Sequence, residues 1–200
     1  MAAKGVLMRV LLAACGVLLA GLTWAVEPAV TPAQARAISA ECVEVLLQIN
    51  QSLSDNYYHA GAFMKAVDVL ERIVVLDPHD VQSYASAAWL AWSSKDHDRA
   101  LAIYDRLIAA NPDSPDAYFE VGLYYTRVQQ DEAALRWLAG ALARGLAGPR
   151  RHLYGHTLAR VGRTAEARAF WHTLLADDPA NEVAKREAAR LTQGQPPAPE

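Results

Sequence analysis

Two histidines four residues apart, His152 and His156, come nearest to a chemical site in this 200-residue chain. Residues at i and i+4 share one helix face, and two imidazoles so placed form a two-point grip for a transition metal. A metal site needs further ligands. His172 falls on a different predicted helix, and no Cys or Glu stands near the pair. The pair therefore reads as a surface that gains charge in mildly acidic conditions, with no metal. The two cysteines, Cys15 and Cys42, belong to no CxxC or CxxCH motif, which excludes the common redox, zinc and haem patterns. Cys42 is expected to act as a small buried hydrophobe. GxSxG, HExxH, P-loop and GxGxxG signatures are missing. Asp77, Asp80, Asp113, Asp177 and Asp178 fall in predicted turns, where helix capping accounts for them. These readings predict a non-enzyme without a cofactor.

The elements that position any site emerge from internal spacing. Ala66, Ala100, Ala134 and Ala167 recur at steps of 34, 34 and 33 residues. A large residue follows each by four positions: Leu70, Tyr104, Leu138 and Trp171. A small one precedes each by twelve: Ser54, Ala88, Gly122 and Gly155. Pro78, Pro112 and Pro179 stand on the same grid, where a residue without an N–H stops a helix. This pattern resembles the tetratricopeptide-repeat (TPR) family. The third repeat carries it best, with Tyr118, Val121, Gly122, Tyr125, Ala134 and Leu138. There Leu146 replaces the proline, and Pro149 comes later.

The resemblance implies an all-α fold: a right-handed solenoid of four helical hairpins over residues 47–181, divided as 47–80, 81–114, 115–147 and 148–181. First helices are expected to begin near 47, 81, 115 and 149, and second helices near 62, 96, 130 and 163. Small residues let the paired helices approach closely, and stacking buries faces that no single repeat can bury. Asp80 and Ser114 read as N-caps. Residues 26–46 read as a linker and an extension helix that begins at Thr31-Pro32 and runs into the first repeat, with Ile38, Cys42, Val45, Leu46 and Ile49 at helical spacing. Residues 182–191 read as a capping helix, and proline-rich 192–200 as a disordered tail.

The resemblance further implies a concave groove lined by the first helices. Carried over residue by residue, it assigns Gln51, Asp55 and Tyr58 to one end. Trp89, Trp92, Phe119 and Leu123 form an aromatic and apolar centre, and Arg127, His152, His156 and Arg160 the other end. The competing reading packs Trp89 and Trp92 against their own chain. The Lys, Asn, Lys and Arg residues with which some TPR co-chaperones hold a C-terminal carboxylate are replaced by Gln51, Asp55, Phe119 and Leu123, so that clamp is absent. The implied partner is another protein, a peptide or helix with apolar residues for the centre and acidic ones for the fourth repeat.

Composition agrees. A net charge of −3 argues against nucleic acid. Lys4 and Arg9, an uncharged run from Val10 to Val26 and Thr23-Trp24-Ala25 predict a signal peptide over residues 1–25 and a periplasmic protein. Two rivals are an uncleaved membrane anchor and a lipid on Cys15, within Leu12-Ala13-Ala14-Cys15; the membrane is a partner only through these. The function expected is a non-catalytic interaction adaptor of the bacterial cell envelope. The alternative is a structural or assembly subunit that acts by self-association.

Overall fold

The computed structural model describes residues 31–194. The expected signal segment and the last six residues of the expected tail lie outside them. The chain divides after Ala40 into two compact units. In the first, Thr31 and Gln34 form a reciprocal capping box: the Gln34 N–H donates to Thr31 Oγ1 at 3.2 Å, and the Thr31 N–H to Gln34 Oε1 at 2.9 Å.

The second unit holds the repeats. Helix α1, Pro32–His59, belongs to it from Glu41 onward. It is followed by α2 (Phe63–Leu76), α3 (Val81–Ser93), α4 (His97–Ala110), α5 (Pro115–Arg127) and α6 (Asp131–Ala143). A 3₁₀ turn at Gly148–Arg151 leads into α7 (His152–Arg160), α8 (Thr164–Asp177) and α9 (Glu182–Thr192). No strand occurs among the described residues. None of the described helices is long and apolar enough to cross a membrane.

Starts and stops follow from local chemistry. Asp80, Asp96, Ser114 and Asn181 each accept a backbone N–H three residues on, which satisfies a donor the first turn leaves open. Each first helix ends in one turn design. Gly61, Lys95, Gln129 and Gly162 have φ of 70°, 71°, 59° and 81°, and the next N–H bonds back to Tyr57, Ala91, Tyr125 and Leu158 at 2.8, 2.9, 2.9 and 2.9 Å. This six-to-one bond marks a Schellman cap. It recurs on the alanine grid although only two of its four left-handed residues are glycine.

Packing confirms the grid. Ala66, Ala100, Ala134 and Ala167 are all 0% exposed. A Cβ on Gly122 would come within 2.7 Å of Leu138, and one on Gly155 within 2.5 Å of Trp171, so the helices of these hairpins touch where the small residues stand. Asn111 ties consecutive turns together: its Nδ2 donates to the Pro78 carbonyl at 3.0 Å, and its Oδ1 lies 3.1 Å from His79 Nδ1.

Two expectations need correction, the start of the seventh helix and the burial of Cys42, while the place of Leu146 is as expected. The seventh helix starts at His152 rather than near 149, because Gly148, at φ 67°, and Pro149 impose a 3₁₀ turn first. Leu146, 6% exposed, fills the place that proline holds in the other repeats. Cys42 is exposed, not buried: among the described residues no element covers that face of α1.

Candidate functional site

The first helices of repeats one to three, α1, α3 and α5, line a groove in two compartments. The first, ≈ 540 Å³, lies between α1 and α3, with Gln51, Asp55 and Tyr58 on one wall, Gln82, Ser86 and Trp89 on the other, and Leu70, Ile73 and Leu90 also lining it. The second, ≈ 330 Å³, lies between α3 and α5 and adds Tyr104, Glu120, Leu123, Tyr124 and Arg127. Gln82, Ser86 and Trp89 line both. They sit at i, i+4 and i+7, one stripe of α3, and the Gln82 side-chain amide donates to Ser86 Oγ at 3.2 Å.

Trp89 is 40% exposed, an unusual state for so large an apolar ring. Its ring stands 5.0 Å from that of Trp92, and the Arg127 guanidinium lies 4.2 Å from its centroid. That distance is within cation–π range. The two tryptophans divide between the two readings made of them: Trp89 faces the groove, while Trp92 is half-buried against the core of the first three repeats. Phe119 is not a groove residue. At 8% exposure it packs with Leu138 and Leu146, beneath the Arg150 guanidinium.

Glu120, Ser86, Tyr104 and Tyr124 line the groove without having been foreseen. Glu120 could have been found from the stripe Asp116, Glu120, Leu123 and Arg127, which repeats the spacing of Gln82, Ser86 and Trp89. Burial pushes the Glu120 carboxyl up from its ordinary range, against the opposing pull of Arg150 and Arg127. Burial also raises the Tyr104 phenol, and its ring stacks 5.0 Å from that of Tyr124.

The basic end foreseen at the fourth repeat is committed elsewhere. Arg160 donates to Asp131 through Nε and Nη2, at 2.8 and 2.7 Å. Arg150 pairs with Asp116 at 2.6 Å, and Arg151 with Asp177 at 2.9 Å. His152 and His156 lie 5.6 and 5.0 Å from the ring of Trp171, which is fully buried. His152 Nε2 is 3.1 Å from Asn181 Nδ2. Asn181 Oδ1 already accepts the Ala184 N–H, so its amide nitrogen faces the ring, and the imidazole must accept with Nε2 unprotonated. Burial, then His156 and Arg151, hold His152 below the ordinary histidine value. The pair thus supports the docking of α9 and does not line the groove compartments. Among the described residues no group of three or more His, Cys, Asp or Glu is placed to hold a metal.

Residues 84–114 match the tetratricopeptide repeat family. Comparison with curated proteins gives no match. Among solved structures, the crystal structure of MamA superposes with a TM-score of 0.58 at 16% identity, over 74% of this chain and 82% of that one. PilF of Pseudomonas aeruginosa gives 0.58 at 17% identity, over 76% and 70%. YrrB, described as a TPR protein with an unusual peptide-binding site, gives 0.52 at 17%, over 72% and 74%. At such identities these likenesses establish the fold. Fold, repeat match and groove together define a helical-repeat solenoid. The chain has a tetratricopeptide-repeat fold, and residues 84–114 carry the matched repeat.

Proposed function

We propose that the chain is a non-catalytic adaptor that holds a segment of a partner protein along the groove of α1, α3 and α5. The observation that carries this reading is Trp89, a large ring left 40% exposed in the wall shared by both compartments. Exposed aromatics in concave surfaces, with Arg beside them, are the residues on which binding energy concentrates. The peptide-binding site named for YrrB supports the same use of a TPR surface. We further propose that the adaptor works in the bacterial cell envelope, on the basis of Lys4, Arg9, the apolar run and Thr23-Trp24-Ala25. N-terminal sequencing of the protein from cells tests this: a start at Val26 supports export with cleavage, and an intact Met1 in the soluble cytoplasmic fraction refutes it.

The groove reading is tested by selecting peptides from a random library on the protein from Val26 onward, then measuring their equilibrium binding to the parent and to Trp89→Ala. Loss of a buried aromatic anchor costs about 2 kcal/mol or more, a fall of about thirtyfold. Selected peptides that bind both proteins equally would refute the groove as the site.

A second reading, self-association, is favoured by α1. Val43, Val45, Leu46 and Ile49 are 36%, 44%, 45% and 56% exposed, and neighbouring exposed apolar side chains of this kind mark interaction surfaces. Sedimentation of the protein from Val26 onward decides it, because a monomer at high concentration removes this reading.

A further inference from the structure

We infer that the compartment between α1 and α3 receives a basic side chain, lysine or arginine, of the bound segment. This inference rests on the adaptor reading and names the chemistry that the groove would select. Among the described residues, the charged groups that line this compartment are two carboxylates, Asp55 and Asp80, with no Lys or Arg. Asp80 accepts the Ser83 N–H at 3.1 Å and the Ser83 hydroxyl at 2.6 Å as the cap of α3. These contacts are with neutral donors, so its negative charge remains. Asp55 is 71% exposed, and its side chain faces His59 at 3.3 Å, a partner 72% exposed that is charged only when protonated. The compartment is therefore negative at neutral pH, and the low-dielectric groove walls favour a counter-charge within it.

The remaining lining suits the rest of such a side chain. The edges of Leu70 and Leu90 offer apolar surface to a methylene stem, and the Gln51 and Gln82 amides offer acceptors for N–H groups. Tyr58 and Trp89, 50% and 40% exposed, supply two aromatic rings. Trp89 already carries a guanidinium within the chain, that of Arg127 at 4.2 Å, and Arg127 lines only the second compartment. An acidic segment finds no such complement. In the second compartment Arg127 stands over the Trp89 ring and shares the lining with the Glu120 carboxyl. Arg150, Arg151 and Arg160 are already paired with Asp116, Asp177 and Asp131.

The test uses a random twelve-residue peptide library displayed on phage, selected on the protein from Val26 onward, with the selected peptides resynthesised and measured by fluorescence polarisation. Asp55→Asn keeps size and shape at an exposed position, and circular dichroism confirms that it folds. The expected result is enrichment of Lys or Arg at one position, with binding weakened about two- to fivefold by Asp55→Asn, the upper range for an exposed ion pair. Replacing that peptide residue by Leu should weaken binding to the parent and change little on Asp55→Asn. Peptides enriched in Asp or Glu overturn the inference, as does unchanged binding to Asp55→Asn while Trp89→Ala binds weakly; in that case the adaptor reading stands. If neither variant changes binding, or if no peptide is enriched, the groove reading itself falls and takes the inference with it.

Discussion

Gly155→Ala isolates the close approach on which the hairpin design depends. The new Cβ would stand 2.5 Å from Trp171 Cζ2, 2.7 Å from Cε2 and 3.0 Å from Phe170 Cδ1. Carbon atoms in contact prefer about 3.5–4.0 Å, so roughly 1 Å must be found between α7 and α8. Little gives way there. Trp171 is a rigid ring with no exposure, and it is flanked by His152, His156 and Phe170. Overpacking of this kind costs about 1–3 kcal/mol, and the absence of a flexible side chain places it in the upper half. Alanine in a helix regains about 1 kcal/mol over glycine. The net expectation is destabilisation by about 1–2 kcal/mol. Gly122→Ala meets Leu138 Cδ2 and Cγ at 2.7 Å and its backbone N at 3.3 Å, in a core where Leu138 is 1% exposed, and is expected to be destabilising as well. Urea denaturation followed by far-UV circular dichroism and tryptophan fluorescence measures both. Repeats in an array can separate in stability, so the loss should show as an earlier transition for the fourth repeat. A Gly155→Ala protein as stable as the parent, or more stable, would refute the crossing as described.

Three further outcomes are expected. Lys95→Gly, at a left-handed position where L residues are strained by about 1–2 kcal/mol, loses about 0.4–1 kcal/mol through the freer unfolded chain and should be net stabilising by about 0.5 kcal/mol; a lower urea midpoint would contradict this. Asn111→Ala removes the bridge between the turns at Pro78 and Pro112, while the Leu107 carbonyl keeps the N–H of residue 111 and Pro78 is exposed to water, at a cost of about 0.5–1.5 kcal/mol in the same assay. His152, held below its ordinary value of 6.5, is neutral in the fold, so the unfolded chain binds more protons as pH falls through that value, and stability rises with pH there. The docking of α9 should weaken progressively below pH 6.5, seen as faster amide exchange in 182–192 that His152→Gln suppresses.

The repeat frame was legible because it rests on local rules. Spacing of small residues, prolines and capping side chains needs no knowledge of neighbours, and Ala66, Ala100, Ala134 and Ala167 proved wholly buried. The site was legible only in part. Whether residue five or six of a first helix faces the groove turns on a rotation of about 100° per residue, and the family assignment placed Phe119 where Glu120 stands. Partners across repeats were not legible. Arg160 meets Asp131 from 29 positions away, and His152 meets Asn181 across the same separation. Charge in a list of groove residues therefore overstated the charge a ligand would meet.

The Asn111 bridge, the Arg160–Asp131 pair and the stacked hairpins all join parts of the chain about one repeat apart. Sequence-local contacts of this kind favour rapid folding, since no long loop must close first. They also confine damage. A nick or cleavage that removes α9 would expose Ala184, Ala188 and Leu191 partners in the fourth repeat but leave the α1–α3–α5 groove standing. The molecule is thus expected to tolerate truncation from its C-terminal end by graded loss, repeat by repeat, and not by collapse.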